Sequence, residues 1–328
     1  MVLGSAGSVA TPTSRARMSP SPGEGEGDAR PAVADTSDVA VGDLLAADLA
    51  RRLSVVERGD GDARASSQLV REPSPPEDAV PPAVPAGLVP DVLFLDDPRA
   101  CADALGPLIE RAEPVAVDFE GVALSRTGKL CLAQVAPASG PVLLLDISVM
   151  GAAAFARGRL RELLEHPTLL KLIFDCRNDS DALRHQFGVH IRAVYDVQVV
   201  YCLKRDQDNG GRRGAFLCGL QRALGDCPGL GLDARAALEE VKNAGKLLFA
   251  PEAGGGYDAW ERRPMHPDLL AYAAADVVHL HAMWKEWKHF MGQGKMDETV
   301  AKRIKRHAKA RDAQDAGGKP SAGSRRDF

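Results

Sequence analysis

The aromatic residues of this chain are confined to one part of it. All nine Phe, four Tyr and three Trp lie after residue 90, whereas 11 of the 22 prolines lie at or before residue 90. A proline-rich segment without aromatic side chains buries too little apolar surface to offset the entropy lost on ordering. We therefore predict a disordered arm over residues 1–90 and one folded domain of about 200 residues behind it, over residues 91–291.

The net charge of −4 is distributed unevenly along the 328 residues. Residues 1–90 hold 8 basic and 13 acidic side chains, whereas residues 295–328 hold 10 basic and 5 acidic ones. We interpret residues 292–328 as a basic tail, either a frayed helix or an irregular segment. The overall charge argues against a broadly basic surface, so contacts to nucleic-acid phosphates would come from a local patch or from this tail acting as a tether.

The six cysteines indicate a reducing compartment. They form no CxxC pair and no Cys/His pattern at zinc spacing, so we predict reduced thiols in an intracellular protein. No apolar stretch approaches the roughly 18–20 residues of a transmembrane helix. We expect a cytoplasmic or nuclear location. Arg15 and Arg17, with no acidic residue in the first 20, are also compatible with an organellar transit peptide.

One segment of the arm has helical periodicity. Val41, Leu45, Leu49 and Leu53 recur every four residues, which predicts a short amphipathic helix within residues 41–56. Such a segment is either a transient solvated helix or a docking site that folds on a protein partner. We keep residues 41–56 as the candidate partner-binding segment.

After Pro90, apolar runs of strand length alternate with helical patterns. The first runs are closely spaced, which favours an antiparallel meander, and the later runs alternate with helices. This order predicts an α/β fold with a mixed β-sheet flanked by helices. The predicted strands are residues 92–95, 115–119, 130–135, 142–146, 169–174 and 189–194. The last long helix is predicted from Pro267 to Phe290.

Acidic residues stand at particular places on these elements. Asp118 and Glu120 end an apolar run, and residues i and i+2 of a strand project from the same face. Two carboxylates on one face repel each other and favour a divalent cation between them, although a solvated sheet edge is the alternative. Asp179 follows the run 169–174 near a helix start, with Asp175 and Asp181 as competitors for any role.

Tyr272 and Asp276 lie four residues apart on the last predicted helix, so they share one face. Taken alone, this pair fits a buried tyrosine and an exposed aspartate better than it fits a functional site. Four carboxylates and a tyrosine on three segments, however, could form a site for two divalent metal ions, of the kind that catalyses phosphoryl displacement. The tyrosine hydroxyl is suited to orient the attacking water.

Three sequence motifs follow one another along the chain. They are VAVDFEG at 115–121 with GKLCLAQV at 128–135, LIFDCRNDSDAL at 172–183, and WERRPM at 260–265 with YAAADV at 272–277. In this order they resemble the motifs of the ribonuclease D and Werner-type 3′–5′ exonucleases, the DEDDy branch of the ribonuclease H-like superfamily. The resemblance covers roughly residues 91–291, and it departs from the family pattern at Phe174 and Val197, where the family often has His and Thr.

The resemblance implies an enzyme with a two-metal site. It places the ligands of two Mg²⁺ or Mn²⁺ ions at Asp118, Glu120, Asp179 and Asp276, with Asp181 as the alternative to Asp179, and the water-orienting group at Tyr272. It implies removal of nucleoside 5′-monophosphates from the 3′ end of RNA or single-stranded DNA. The alternative is a catalytically inactive nucleic-acid-binding scaffold on the same fold, and the complete ligand set favours the enzyme.

Overall fold

The computed structural model describes residues 91–227, 229–317 and 328. The predicted arm over 1–90 and the candidate partner segment 41–56 lie outside the described residues. The strands in the described parts are β1 (Val92–Leu95), β2 (Val115–Val122), β3 (Lys129–Pro137), β4 (Val142–Asp146), β5 (Lys171–Ile173) and β6 (Val194–Asp196).

The α-helices of the described residues surround these strands in chain order. They are α1 (Pro98–Arg111), α2 (Ile147–Met150), α3 (Ala152–Ala156), α4 (Leu160–Glu165), α5 (Arg177–Phe187), α6 (Val197–Asp208), α7 (Leu220–Gly225), α8 (Leu232–Phe249), α9 (Pro267–Val277), α10 (Leu280–Trp287) and α11 (Gln293–Asp315). None of the helices in the described parts has the length and apolar composition needed to span a membrane.

The strands form one mixed sheet in the order β1-β4-β3-β2-β5-β6. Strand β3 pairs antiparallel with β2 and β4, while the β1–β4, β2–β5 and β5–β6 pairs are parallel. The predicted α/β fold is therefore confirmed, including the meander of β2, β3 and β4. Because β2, β5 and β6 run the same way, the residues that follow their carboxyl ends meet at one edge of the sheet.

Helix α9 can approach the sheet closely because its inner face carries small side chains. Ala271, Ala273, Ala274 and Ala275 are all buried, and the helix packs across β2, β3 and β4. Helix α10 packs instead against β5 and β2. The single helix expected over 267–290 is divided after Val277, because its two halves follow different strands of a twisted sheet.

Two other elements differ from the sequence-based expectation. The strand expected over residues 189–194 lies later, at Val194–Asp196, and all three of its residues pair with the three residues of β5. The loop expected over residues 205–214 begins later, since α6 continues to Asp208.

The segment expected to be a basic tail forms helix α11 over residues 293–315. Its buried residues are Met296, Thr299, Val300 and Arg303, and this spacing of three and four places them on one helix face. Through that face α11 packs along β6 and α5. The sequence alone does not reveal this buried face, because two of its four residues, Thr299 and Arg303, are polar and charged residues lie between them.

Candidate active site

Strand β2 presents two half-buried carboxylates beside a core that is otherwise apolar. Val115, Val117 and Phe119 are buried, while Asp118 and Glu120 alternate with them on the other face. The pairing with β3 shifts register between Glu120 and Gly121. At Gly121 any side chain would meet the Lys129 carbonyl oxygen at 2.0 Å from its Cβ, so glycine allows this close strand approach.

Helix α9 supplies the second half of the site. Asp276 is buried and Tyr272 half-buried, one turn apart on the helix face that packs on the sheet. Phe249 and Trp260 hold the Tyr272 ring edge-on, at centroid distances of 5.0 and 6.1 Å. Trp260 is itself only 1% exposed, so the ring of Tyr272 has a rigid apolar support.

These elements bring three carboxyl groups together. One oxygen from each of Asp118, Glu120 and Asp276 lies within 4.8 Å of the others, the one such acidic trio among residues 91–227, 229–317 and 328. Burial, and then repulsion by Asp276, raises the pKa of Asp118 to about 8. The same two causes raise the pKa of Glu120, and burial with the negative charge of Asp276 raises that of Tyr272, whose phenol therefore keeps its proton.

Asp179 lies in the first turn of α5 and is not a member of this trio. It is 6% exposed, and its pKa is raised by burial and then by repulsion from Asp118. Asp181, the alternative from the sequence, instead accepts hydrogen bonds from Nε and Nη2 of Arg126 at 3.0 and 2.8 Å. Asp175 pairs with Arg177 at 2.6 and 2.7 Å. Both competitors of Asp179 are therefore neutralised by arginine.

Two residues at the site were not singled out from the sequence. Gln134 of β3 is fully buried and lies directly opposite Asp118, so both side chains share one face. Neither its amide oxygen nor its nitrogen has a hydrogen-bond partner within the described part of the chain. The other residue, Lys242 of α8, forms a buried ion pair with Asp276. A polar residue inside an apolar strand could have revealed Gln134, but no local pattern marks Lys242.

The donor set fits a hard divalent cation. Carboxylate oxygens are the ligands that Mg²⁺ and Mn²⁺ prefer, and Asp118, Glu120 and Asp276 supply three within one ion's reach. Burial and then the charge of Asp276 raise the pKa values of Asp118 and Glu120, and a divalent cation among the three carboxylates would offset their negative charge. The side-chain amide of Gln134, which has no hydrogen-bond partner among the described residues, can also bind water or a ligand beside Asp118.

The burial of Asp118, together with the charge of Asp276, predicts an unusual dependence of stability on pH. The pKa of Asp118 is higher in the folded protein, about 8, than its ordinary 3.8, so the folded state holds a proton that the unfolded chain has released. The free energy of unfolding should therefore decrease as pH rises from about 4 to about 8. We expect Asp118→Asn, in EDTA, to melt above wild type at pH 8, with a difference that shrinks towards pH 5.

Thermal melts of both proteins across this pH range provide the measurement. About 2–4 °C corresponds to each kcal/mol regained in a chain of this size. An Asp118→Asn protein that melts at or below the temperature of wild type at pH 8 would show that the charged Asp118 carboxylate does not destabilise the folded state.

Comparison with known proteins agrees with this geometry. Residues 99–218 match the family model of the 3′-5′ exonuclease domain. The resemblance of this part of the chain to ribonuclease H-like 3′–5′ exonucleases is thereby confirmed. The match includes Asp118, Glu120 and Asp179 and ends before Tyr272 and Asp276, which lie on α9.

The curated relatives are longer proteins. The piRNA biogenesis protein EXD1 of Mus musculus is 33% identical over 177 residues, which are 52% of this chain and 28% of the mouse protein. EXD1 of Homo sapiens is 34% identical over 177 residues, again 52% of this chain and 32% of the human protein. The chain thus spans about a third of the length of these relatives.

Solved structures share the fold. Trypanosoma brucei RNase D superposes with a TM-score of 0.53 and 22% identity, covering 67% of this chain and 74% of that one. Its complex with RNA U12 gives a TM-score of 0.52 and 22% identity, covering 67% and 72%.

Proposed function

We propose that this protein is a 3′–5′ exonuclease that uses two Mg²⁺ or Mn²⁺ ions to hydrolyse the terminal phosphodiester of RNA or single-stranded DNA. The observation that carries the proposal is the carboxylate trio of Asp118, Glu120 and Asp276, within 4.8 Å, with Asp179 near enough for the charge of Asp118 to raise its pKa. Nuclease chemistry agrees with the match of residues 99–218 to the 3′-5′ exonuclease domain.

The four carboxylates have separable roles in this proposal. After burial, the charge of Asp276 has the largest effect on the pKa of Asp118, and the charge of Asp118 has the largest effect on the pKa of Asp179. We therefore assign Asp118 as the ligand shared by both metal positions, with Glu120 and Asp276 completing one and Asp179 the other. Two bound ions would supply the positive charge that stabilises the attacking and leaving oxygens.

Tyr272 holds the attacking water in this proposal. Its raised pKa keeps the hydroxyl protonated, so it can orient a water molecule but does not act as a base. The water oxygen forms the new bond to phosphorus as the bond from phosphorus to the 3′ oxygen breaks. The released nucleotide keeps its 5′-phosphate, and the shortened strand gains a 3′-hydroxyl on proton transfer to the leaving oxygen.

RNA is the first substrate to test. The EXD1 relatives are named for piRNA biogenesis, and the T. brucei structure was solved with RNA U12. A choice between RNA and DNA depends on contacts to the 2′-hydroxyl, which no short motif encodes. Both substrates therefore belong in the same experiment.

The test uses 5′-end-labelled single-stranded RNA and DNA of one sequence, incubated with the full chain in Mg²⁺, in Mn²⁺ and in EDTA. We expect a ladder that shortens one nucleotide at a time from the 3′ end, with nucleoside 5′-monophosphates as products, and no reaction in EDTA. Unchanged substrate under every condition, while the strand still binds, would contradict the proposal.

That result would instead support the catalytically inactive nucleic-acid-binding scaffold. One observation favours this second candidate: the ammonium group of Lys242 lies on Asp276, one of the four carboxylates that the proposed enzyme needs as a metal ligand. Binding of end-labelled RNA without shortening, in the same reactions, separates the scaffold from the enzyme.

A further inference from the structure

Lys242 contacts the two functional residues of α9 at the same time. Its Nζ donates to Oδ1 and Oδ2 of Asp276 at 2.5 and 2.6 Å. The same nitrogen lies 3.1 Å from the centroid of the Tyr272 ring. The lysine is 5% exposed, so its ammonium group is removed from water and satisfied by these two partners.

The helix that carries Lys242 is shaped for this contact. Gly245, three residues later on the same face of α8, packs directly on Tyr272, and a Cβ there would meet ring atoms at 2.6 Å. Only glycine permits α8 to approach α9 this closely. Placement of the lysine over Asp276 is therefore a consequence of how the two helices pack, rather than of a flexible surface side chain.

The ammonium group uses the oxygens that a metal ion would need. Both Asp276 oxygens accept a hydrogen bond from Lys242, and Asp276 is one of three carboxylates whose oxygens lie within 4.8 Å. Lys242 also lowers the pKa values of Asp118 and Glu120 against the larger effect of burial. It thus acts as a monovalent counter-ion for the whole trio.

Space for a second position of this side chain adjoins the first. A cavity of about 90 Å³ is lined by Lys242 together with Gln221 and Glu239. Their side chains offer an amide oxygen and an exposed carboxylate to an ammonium group. A lysine side chain that leaves Asp276 can therefore keep a polar environment without repacking the core.

We propose that Lys242 is an internal counter-ion that competes with divalent metal for Asp276, so that its ammonium group leaves the carboxylate before metal binds. This inference rests on the proposed function, because it takes Asp276 as a metal ligand. It predicts that the natural lysine weakens metal binding and stabilises the metal-free protein.

The test compares Mn²⁺ binding by the full chain with that of the Lys242→Met protein, using electron paramagnetic resonance of the free ion and calorimetry. We expect Lys242→Met to bind Mn²⁺ at least tenfold more tightly and to melt at a lower temperature than wild type in EDTA. Lys309→Met is the matched control, because Lys309 is an exposed cation on α11, which packs along β6 and α5. The control should bind Mn²⁺ as wild type does.

Equal or weaker Mn²⁺ binding by Lys242→Met would overturn the inference. If that variant does not fold, Lys242→Gln, which retains a hydrogen bond to Asp276 without the charge, is subject to the same criterion. If wild type is active with Mn²⁺ and the Lys242→Met protein has the same Mn²⁺ affinity as wild type, the proposed function stands and only the role of the lysine is removed. Mn²⁺ binding by Lys242→Met but not by wild type supports the lysine's role and contradicts the proposed activity.

Discussion

Replacing Asp118 by alanine is expected to abolish shortening of a single-stranded substrate while leaving the domain folded. The proposed function assigns Asp118 to both metal positions, so no neighbouring carboxylate can take its place in both. We expect the rate to fall by at least about a hundredfold, or ~2.7 kcal/mol of transition-state stabilisation. Gel assays on end-labelled substrate at saturating concentration measure this loss.

The fold should survive because the substitution removes one of several repelling acids. Thermal melts in EDTA should therefore show no loss of stability at pH 8. Asp258→Ala is the matched control, since Asp258 is an exposed acid whose side chain pairs with Arg262 at 2.7 Å. More than about a tenth of the wild-type rate in Asp118→Ala, on a scale of 1.4 kcal/mol per tenfold, would remove Asp118 from the active site.

Replacing Arg303 by methionine is expected to destabilise the protein strongly, although Arg303 belongs to the basic segment expected from the sequence to be a tail. Its guanidinium is fully buried and donates to Asp196, which is also fully buried. It also donates to Gln198 Oε1 at 2.7 Å and to Asp175 Oδ1 at 3.3 Å. Removing one partner of a buried ion pair leaves an uncompensated charge, which costs about 3–5 kcal/mol.

Chemical denaturation of wild type and variant measures this cost. The double variant Arg303→Met with Asp196→Asn should recover part of it, because the uncompensated carboxylate is then absent. Lys309→Met, an exposed cation on the same helix, should leave stability within about 0.5 kcal/mol of wild type. A loss in Arg303→Met no larger than in this control would mean that α11 is not part of the folded core.

The burial of Arg303 changes how the tether hypothesis for the basic segment can be tested. Deletion after Met296 would remove Arg303 and the buried face of α11 together with the exposed cations, so it would alter the fold as well as the charge. The exposed cations Lys302, Lys305 and Lys309 remain available to phosphates. Neutralising these three by substitution tests the tether while the helix stays in place.

Local sequence predicted most of the sheet and the residues of the candidate site. The strands over residues 92–95 and 142–146 were predicted with their observed bounds, because short apolar runs between polar turns have few alternative structures. The i, i+2 and i, i+4 spacings correctly placed Asp118 beside Glu120 on a strand face and Tyr272 above Asp276 on a helix face. The roles of these residues rest on the proposed function.

Only the tertiary structure decided which distant groups meet at that site. Asp179 differs from Asp175 and Asp181 because these two pair with arginines from distant segments. Arg126 lies 55 residues from Asp181 in the sequence, and Arg303 lies 128 residues from Asp175. Lys242 reaches Asp276 across 34 residues, through the packing of α8 on α9. Hydrogen-bond periodicity fixes which residues of one element share a face, but the contact between two elements depends on their packing in three dimensions, which no local pattern encodes.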